Sequence, residues 1–175
     1  MSPEASLSLD TITDAPLRFD FELPFTLEAI DRDVLVAIEP ARIGGEVSRV
    51  EGGYSLGARL AWRGSLECSR CLAPYDFVHD EKFSLLLYPR TTVTSPELAL
   101  AREDLDASFY DDPVVPVAPI VEERIQMAIP MKPLCREDCR GLCPQCGADL
   151  NVSECSCVVE EIDPRWRALQ LLKKE

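Results

Sequence analysis

Tyr54-Ser-Leu56-Gly-Ala58-Arg-Leu60-Ala-Trp62-Arg-Gly-Ser-Leu66-Glu-Cys68-Ser-Arg-Cys71-Leu-Ala-Pro74-Tyr75-Asp-Phe77-Val-His79-Asp-Glu-Lys-Phe83-Ser-Leu85-Leu-Leu87-Tyr88 is the stretch that decides the fold. Leu56, Ala58, Leu60, Trp62 and Leu66 recur at every second position or its multiple, with Ser55, Arg59, Arg63, Ser65 and Glu67 between them. That period belongs to a strand with one buried and one wet face. Tyr75, Phe77, Phe83, Leu85 and Leu87 repeat the pattern after a gap holding Cys68 and Cys71. Residues 54–88 therefore predict a β-hairpin with a cysteine knuckle at its tip.

Outward from the hairpin, Leu17, Phe19, Phe21 and Leu23 alternate with Arg18, Asp20 and Glu22, as a half-buried strand does. Val34, Val36 and Ile38 alternate as well, and Pro40 with Gly44-Gly45 predicts a turn region before the break at Gly52-Gly53. On the C-terminal side no period is sustained from Pro89 to Pro116, which predicts a long acidic loop, with a short helix over 96–102. Val117, Ile120, Val121, Ile125 and Ala128 then recur at helical spacing between Pro116 and Pro130, predicting an amphipathic helix of about three turns. Asp163, Pro164, Trp166, Leu169 and Leu172 predict a last helix, with Lys173 and Lys174 near its negative end. The expected class is α+β: a mainly antiparallel sheet with one packed helix, a cysteine-rich metal-binding segment and a C-terminal helix. The division is 1–130 for the β-rich core domain and 131–175 for the cysteine-rich segment and terminal helix.

The 175 residues carry 31 carboxylates against 18 basic side chains, a net charge of −13. Such a charge repels a phosphate backbone and argues against unaided binding of nucleic acid across a broad face. From Glu97 to Arg124 stand eight carboxylates and two arginines, a net of −6. This is either a solvated loop that aids solubility or a landing surface for a basic partner. No apolar run is long enough for a membrane span, and the first residues lack the basic start and apolar block of a secretory signal, so a cytoplasmic location is expected.

The eight cysteines, Cys68, Cys71, Cys135, Cys139, Cys143, Cys146, Cys155 and Cys157, all fall in close pairs. Disulfides are disfavoured in a reducing compartment, and unrelated buried thiols would not pair so tightly. Metal binding needs thiolates close in sequence, so that one turn presents two sulfurs to one ion and a second pair closes the tetrahedron. Four pairs make two four-sulfur sites. Cys143 and Cys146 with Cys155 and Cys157 close locally across Gly147-Ala-Asp-Leu-Asn151; Cys68 and Cys71 must then meet Cys135 and Cys139 across the fold. The rival scheme joins Cys135 and Cys139 to Cys143 and Cys146. Two zinc ions in all-thiolate structural sites are expected, with iron in a rubredoxin-like site as the alternative. Arg70, Arg136 and Arg140, beside ligands, are candidates to offset the charge of such sites.

Catalysis has few candidates. His79 is the one histidine, with no base or nucleophile evident beside it, and neither phosphate-binding glycine motif is present. No small-molecule substrate is implied. A thiol–disulfide exchange protein using the C-x2-C pairs is the alternative from another class.

The run Leu66-Glu-Cys68-Ser-Arg-Cys71-Leu, the block from Ile129 through Cys135, Cys139, Cys143, Cys146 and Gly147 to Asn151, then Cys155-Ser-Cys157 and Asp163-Pro-Arg, resembles the YceD family. The resemblance implies a non-enzymatic role in accumulation of large-subunit ribosomal RNA and hence in ribosome assembly. Combined with the charge, it implies a basic ribosomal protein or pre-ribosomal particle as partner, with direct RNA contact left open.

Overall fold

In a computed structural model, residues 5–13, 15–30, 33–90 and 107–157 are described. The expected helix over 96–102, the C-terminal helix with Trp166, and Glu97, Glu103, Asp104 and Asp106 lie outside them. Among the described residues eight strands occur: β1 (Ser6–Ser8), β2 (Leu17–Leu23), β3 (Leu35–Ile38), β4 (Ala41–Val50), β5 (Gly53–Glu67), β6 (Pro74–Pro89), β7 (Ala107–Tyr110) and β8 (Val114–Pro116). Two α-helices accompany them, the single-turn α1 (Leu27–Ile30) and α2 (Val117–Ala128). The α+β class is the one expected.

The hairpin is the spine. β5 and β6 pair antiparallel from Tyr54↔Leu87 to Glu67↔Pro74 without a register shift, so both alternating runs keep their faces over the whole length. Leu56, Leu60, Trp62 and Leu66 are buried on one side. The six-stranded sheet runs β2-β4-β5-β6-β7, and β3 joins β5 beyond the end of β4, with Glu39 N–H donating to the Arg63 carbonyl in between. All neighbours are antiparallel except β6 and β7. β1 and β8 form a separate two-stranded ribbon.

Three local expectations need correction. Leu35, not Val36, is the buried position of β3, because a bulge between Leu35 and Ala37 moves the alternation by one residue. Gly44 and Gly45 lie inside β4 rather than in a turn. A Cβ on Gly45 would run into the Gly57 carbonyl of β5, so the close approach of the two strands requires the missing side chain. The stretch 89–116 is not wholly a loop, since β7 and β8 occupy 107–110 and 114–116.

Helix α2 has the predicted span. Ile129 takes an extended conformation, as a residue before proline prefers, and this ends the helix. Its Val117, Val121 and Ile125 pack with Ile43, Val47, Leu56, Leu60, Trp62 and Leu87 of the sheet and with Leu7 and Val115 of the ribbon in one apolar cluster. Arg124 lays its guanidinium 4.4 Å over the Phe83 ring. The other sheet face is wet and carries ion pairs between neighbouring strands, Arg42–Asp20 and Arg59–Asp80 among them. This core fixes two ends toward one place: the hairpin tip at Cys68 and the chain leaving α2 at Pro130. Among the described residues no helix is long and apolar enough to cross a membrane.

Candidate metal centre

Each C-x2-C pair folds into the same backbone device. After Cys68, the Leu72 N–H donates to the Cys68 carbonyl at 2.9 Å and the Cys68 N–H donates to the Ala73 carbonyl at 3.0 Å. After Cys143, the Gly147 N–H donates to the Cys143 carbonyl at 2.9 Å and the Cys143 N–H to the Ala148 carbonyl at 2.8 Å. In both, the fifth residue is left-handed, at φ 59° for Leu72 and 72° for Gly147. Glycine suits that conformation; leucine occupies it at a cost.

The knuckles close onto different partners. Cys68, Cys71, Cys135 and Cys139 bring their four sulfurs within 4.8 Å of one another, and Cys143, Cys146, Cys155 and Cys157 do the same. This is the local-plus-bridging scheme; the rival pairing of Cys135 and Cys139 with Cys143 and Cys146 is overturned by the geometry. Cys68 Sγ stands 3.8 Å from Cys139 Sγ, and Cys71 Sγ 3.8 Å from Cys135 Sγ. A tetrahedral ion with metal–sulfur bonds of about 2.3 Å has sulfur–sulfur edges of about 3.8 Å, far beyond a disulfide bond. Both quartets therefore fit a tetrahedral, thiophilic cation.

Electrostatics point the same way. Burial opposes ionisation of Cys68, but the N–H groups of Cys135, Cys71 and Arg70 aimed at its sulfur bring its pKa down to about 6. The N–H groups of Cys146 and Gln145, with the Cys155 thiol, bring Cys143 down to about 6 as well. The first cysteine of each knuckle is thus a favoured thiolate. Burial, then the thiols of Cys139, Cys68 and Cys71, push Cys135 up to about 12. Cys146, then burial and Cys143, push Cys157 up to about 12. In each quartet one thiol ionises readily, while Cys71 and Cys135 in the first and Cys155 and Cys157 in the second hold their protons until a cation compensates the charge.

The settings differ. In the first quartet Cys68, Cys71 and Cys139 are buried, with Tyr75, Leu134 and Leu142 packed around them. Ser69 N–H donates to the Pro133 carbonyl at 2.8 Å and Leu142 N–H to the Arg70 carbonyl at 3.1 Å, so the post-helix segment is laced to the tip. Gly141 (φ 74°) passes so close that a Cβ would lie 3.0 Å from the Arg70 carbonyl oxygen. In the second quartet Cys146 and Cys157 are exposed.

The arginines act through hydrogen bonds. Arg70 Nη1 donates to the Cys139 carbonyl at 2.7 Å and more weakly to the Glu137 carbonyl at 3.4 Å. Arg136 Nη2 donates to Asn151 Oδ1 at 2.8 Å and faces Asp138, while Arg140 enters through its backbone N–H, which also donates to Asn151 Oδ1 at 2.8 Å. Asn151 and Asp149, read in the sequence only as turn formers, are the residues missed. Their signal was their place between Cys146 and Cys155. Elsewhere, Asp111 pairs with Arg90 and the Asp112 carboxylate accepts the Val114 N–H. His79, opposite Trp62 in mid-hairpin, has Glu81 Oε2 3.6 Å from its Nε2, a neighbour the sequence reading did not find.

The family model described as large ribosomal RNA subunit accumulation protein YceD matches residues 58–173, a span that includes both quartets. The chain belongs to the YceD family. An uncharacterised protein of Mycobacterium tuberculosis is 32% identical over 168 residues, covering 95% of this chain and 74% of that one. The uncharacterised YlbN of Bacillus subtilis is 29% identical over 141 residues, 79% of this chain and 77% of its own. A maize protein named large ribosomal RNA subunit accumulation protein YCED homolog 1, chloroplastic, is 28% identical over 142 residues, covering 67% of this chain and 48% of its own. No solved structure matches the chain. The YceD family description places the protein in a ribosomal RNA context and names no reaction.

Proposed function

We propose that the eight cysteines hold two zinc ions as structural sites, and that the chain is a non-enzymatic ribosome-assembly factor. In this reading it promotes accumulation of large-subunit ribosomal RNA in the cytoplasm. Its acidic surface engages a basic ribosomal protein or a pre-ribosomal particle containing one. Residues 1–130 supply the body and 131–175 a cysteine-rich arm pinned to it. The carrying observation is the pair of four-sulfur quartets inside the span that matches the YceD model. Four thiolates leave no open position for a reacting water, which favours a shape-holding role for the metal. The net charge of −13 favours a basic protein over naked RNA as first contact.

Metal analysis of native protein is expected to return two zinc per chain. A pull-down from cells in moderate salt should recover ribosomal proteins, with or without rRNA; recovery of naked rRNA alone would overturn the partner assignment. Changing Glu97, Glu103, Asp104 and Asp106 to the corresponding amides should weaken capture several-fold and make what remains less sensitive to salt. Asp111 is left out of that set because it pairs with Arg90.

A further inference from the structure

The spacer that joins the two halves of the second quartet does not simply span them. Asn151, within it, turns back onto the first quartet, and its Nδ2 donates to Cys139 Sγ at 3.5 Å. The same amide is held from three sides. Its Oδ1 accepts from Arg136 and Arg140, its Nδ2 also donates to Asp149 Oδ1 at 2.7 Å, and its backbone N–H donates to that carboxylate oxygen at 2.9 Å. Asn151 thus knits the loop between Cys135 and Cys139 to the loop between Cys146 and Cys155. Two backbone bonds reinforce the stack: Leu150 N–H to the Gly141 carbonyl at 2.9 Å and Leu142 N–H to the Arg70 carbonyl.

An N–H donor to a ligating thiolate draws off negative charge and fixes the sulfur's direction, and partners of this kind change metal affinity by about 10–100-fold. Asn151 sits in the loop whose two ends Cys143, Cys146, Cys155 and Cys157 bring together, so closing that loop favours its position. Building on the two-metal reading, we propose that Asn151 is a positioning residue through which metal in the second quartet tightens the first quartet's hold on its own. The exposed local site then acts as a lock on the buried bridging site. The hairpin tip and the post-helix segment stay joined most firmly when both are filled.

The experiment loads the full chain with two cobalt(II) ions and follows loss of the thiolate-to-metal charge-transfer absorbance after excess chelator. The Cys68→Ser chain keeps only the second site and identifies that site's phase. Asn151→Ala should accelerate the first-site phase by about 10-fold and move its charge-transfer band to longer wavelength, because the sulfur loses an N–H partner. Combined with Cys68→Ser, the same change should leave the second-site phase as it was. Cys146→Ser, which lacks metal in the second site from the start, should hold first-site cobalt at equilibrium against a competing chelator about 10-fold less tightly than the doubly loaded chain. An unchanged first-site phase and band in Asn151→Ala, or equal acceleration of both phases, overturns the coupling while leaving the two-metal reading intact. A wild-type chain that takes up no cobalt overturns both.

Discussion

The two cysteine knuckles share a backbone pattern hydrogen bond for hydrogen bond, yet they do different work. The knuckle at Cys68 caps a rigid hairpin and meets sulfurs 64 or more positions later, behind a helix that the core has already placed. The knuckle at Cys143 meets sulfurs in its own neighbourhood, and half of its quartet faces solvent. Local sequence therefore sets the knuckle, and the surrounding fold sets its role. One quartet is a tertiary clamp; the other is a local staple resting against it.

The sharpest way to break that distinction is to remove one ligand from each. A structural zinc in a four-thiolate site is worth roughly 10–16 kcal/mol to the segment it organises. Cys68→Ser should release residues 131–142 from the hairpin tip. Hydrogen exchange should show lost protection at Ser69, Cys139 and Leu142, whose amides bond across or within the junction. The sheet around Leu60 and Trp62 should keep its protection, since apolar burial holds it. Cys143→Ser should expose the amides of Cys143, Gly147 and Leu150 while leaving the Ser69 amide protected. Equal loss in both variants would mean that the two quartets form a single cooperative unit.

Chelation sharpens the same contrast in time. The second quartet, with Cys146 and Cys157 exposed, should give up its metal first, at least 10-fold faster than the buried quartet. Metal content sampled at intervals after EDTA is added should fall in two steps, and far-ultraviolet circular dichroism should stay near its starting value through the first. A single step, or loss of dichroism in the first, would reverse the assignment of clamp and staple.

The readable parts of the molecule were those whose signal is local and repeated. The hairpin kept period two across Leu56–Leu87 because no bulge interrupts its register, and the cysteines announced two quartets because every one has a close neighbour. The exchange at Leu35 and Val36 was hidden by a bulge, which inverts a pattern that short. β7 and β8, four and three residues long, are held by the neighbours they pair with and carry no period of their own. Gly44-Gly45 reads as a turn in isolation, and only the closeness of β5 reveals why a strand needs glycine there. The contact of Asn151 with Cys139 had no sign in the sequence beyond its place between Cys146 and Cys155, because the two segments meet only in the folded chain.

Arg70 tests how the clamp is tied apart from its sulfurs. Its guanidinium reaches the Cys139 and Glu137 carbonyls from the middle of the first knuckle, where the second knuckle has the uncharged Gln145. Charged donors to neutral acceptors contribute about 1.5–3 kcal/mol. The exposed setting puts Arg70→Ala near the lower figure. The variant should release first-site metal about 10-fold faster and leave the second quartet's release unchanged, read by the same chelator time course. An effect confined to the second quartet would mean that the arginine ties the staple and not the clamp.

The smallest effect concerns the left-handed position that follows the second cysteine of each knuckle. Leu72 holds at φ 59° the conformation that Gly147 holds at 72°. A side chain there costs about 1–2 kcal/mol, and glycine returns roughly half of that as extra freedom in the unfolded chain. Leu72 is 55% exposed, so replacing it forfeits little burial. Leu72→Gly should therefore strengthen metal retention at the first quartet by about 0.5–1 kcal/mol, seen as a rise in the chelator concentration needed for half-release. Gly147→Leu should weaken the second quartet by the same net amount, about 0.5–1 kcal/mol. If Leu72→Gly instead weakened the first quartet, the leucine would be a packing element of the clamp, and the two knuckles would differ in side-chain contacts as well as in partners.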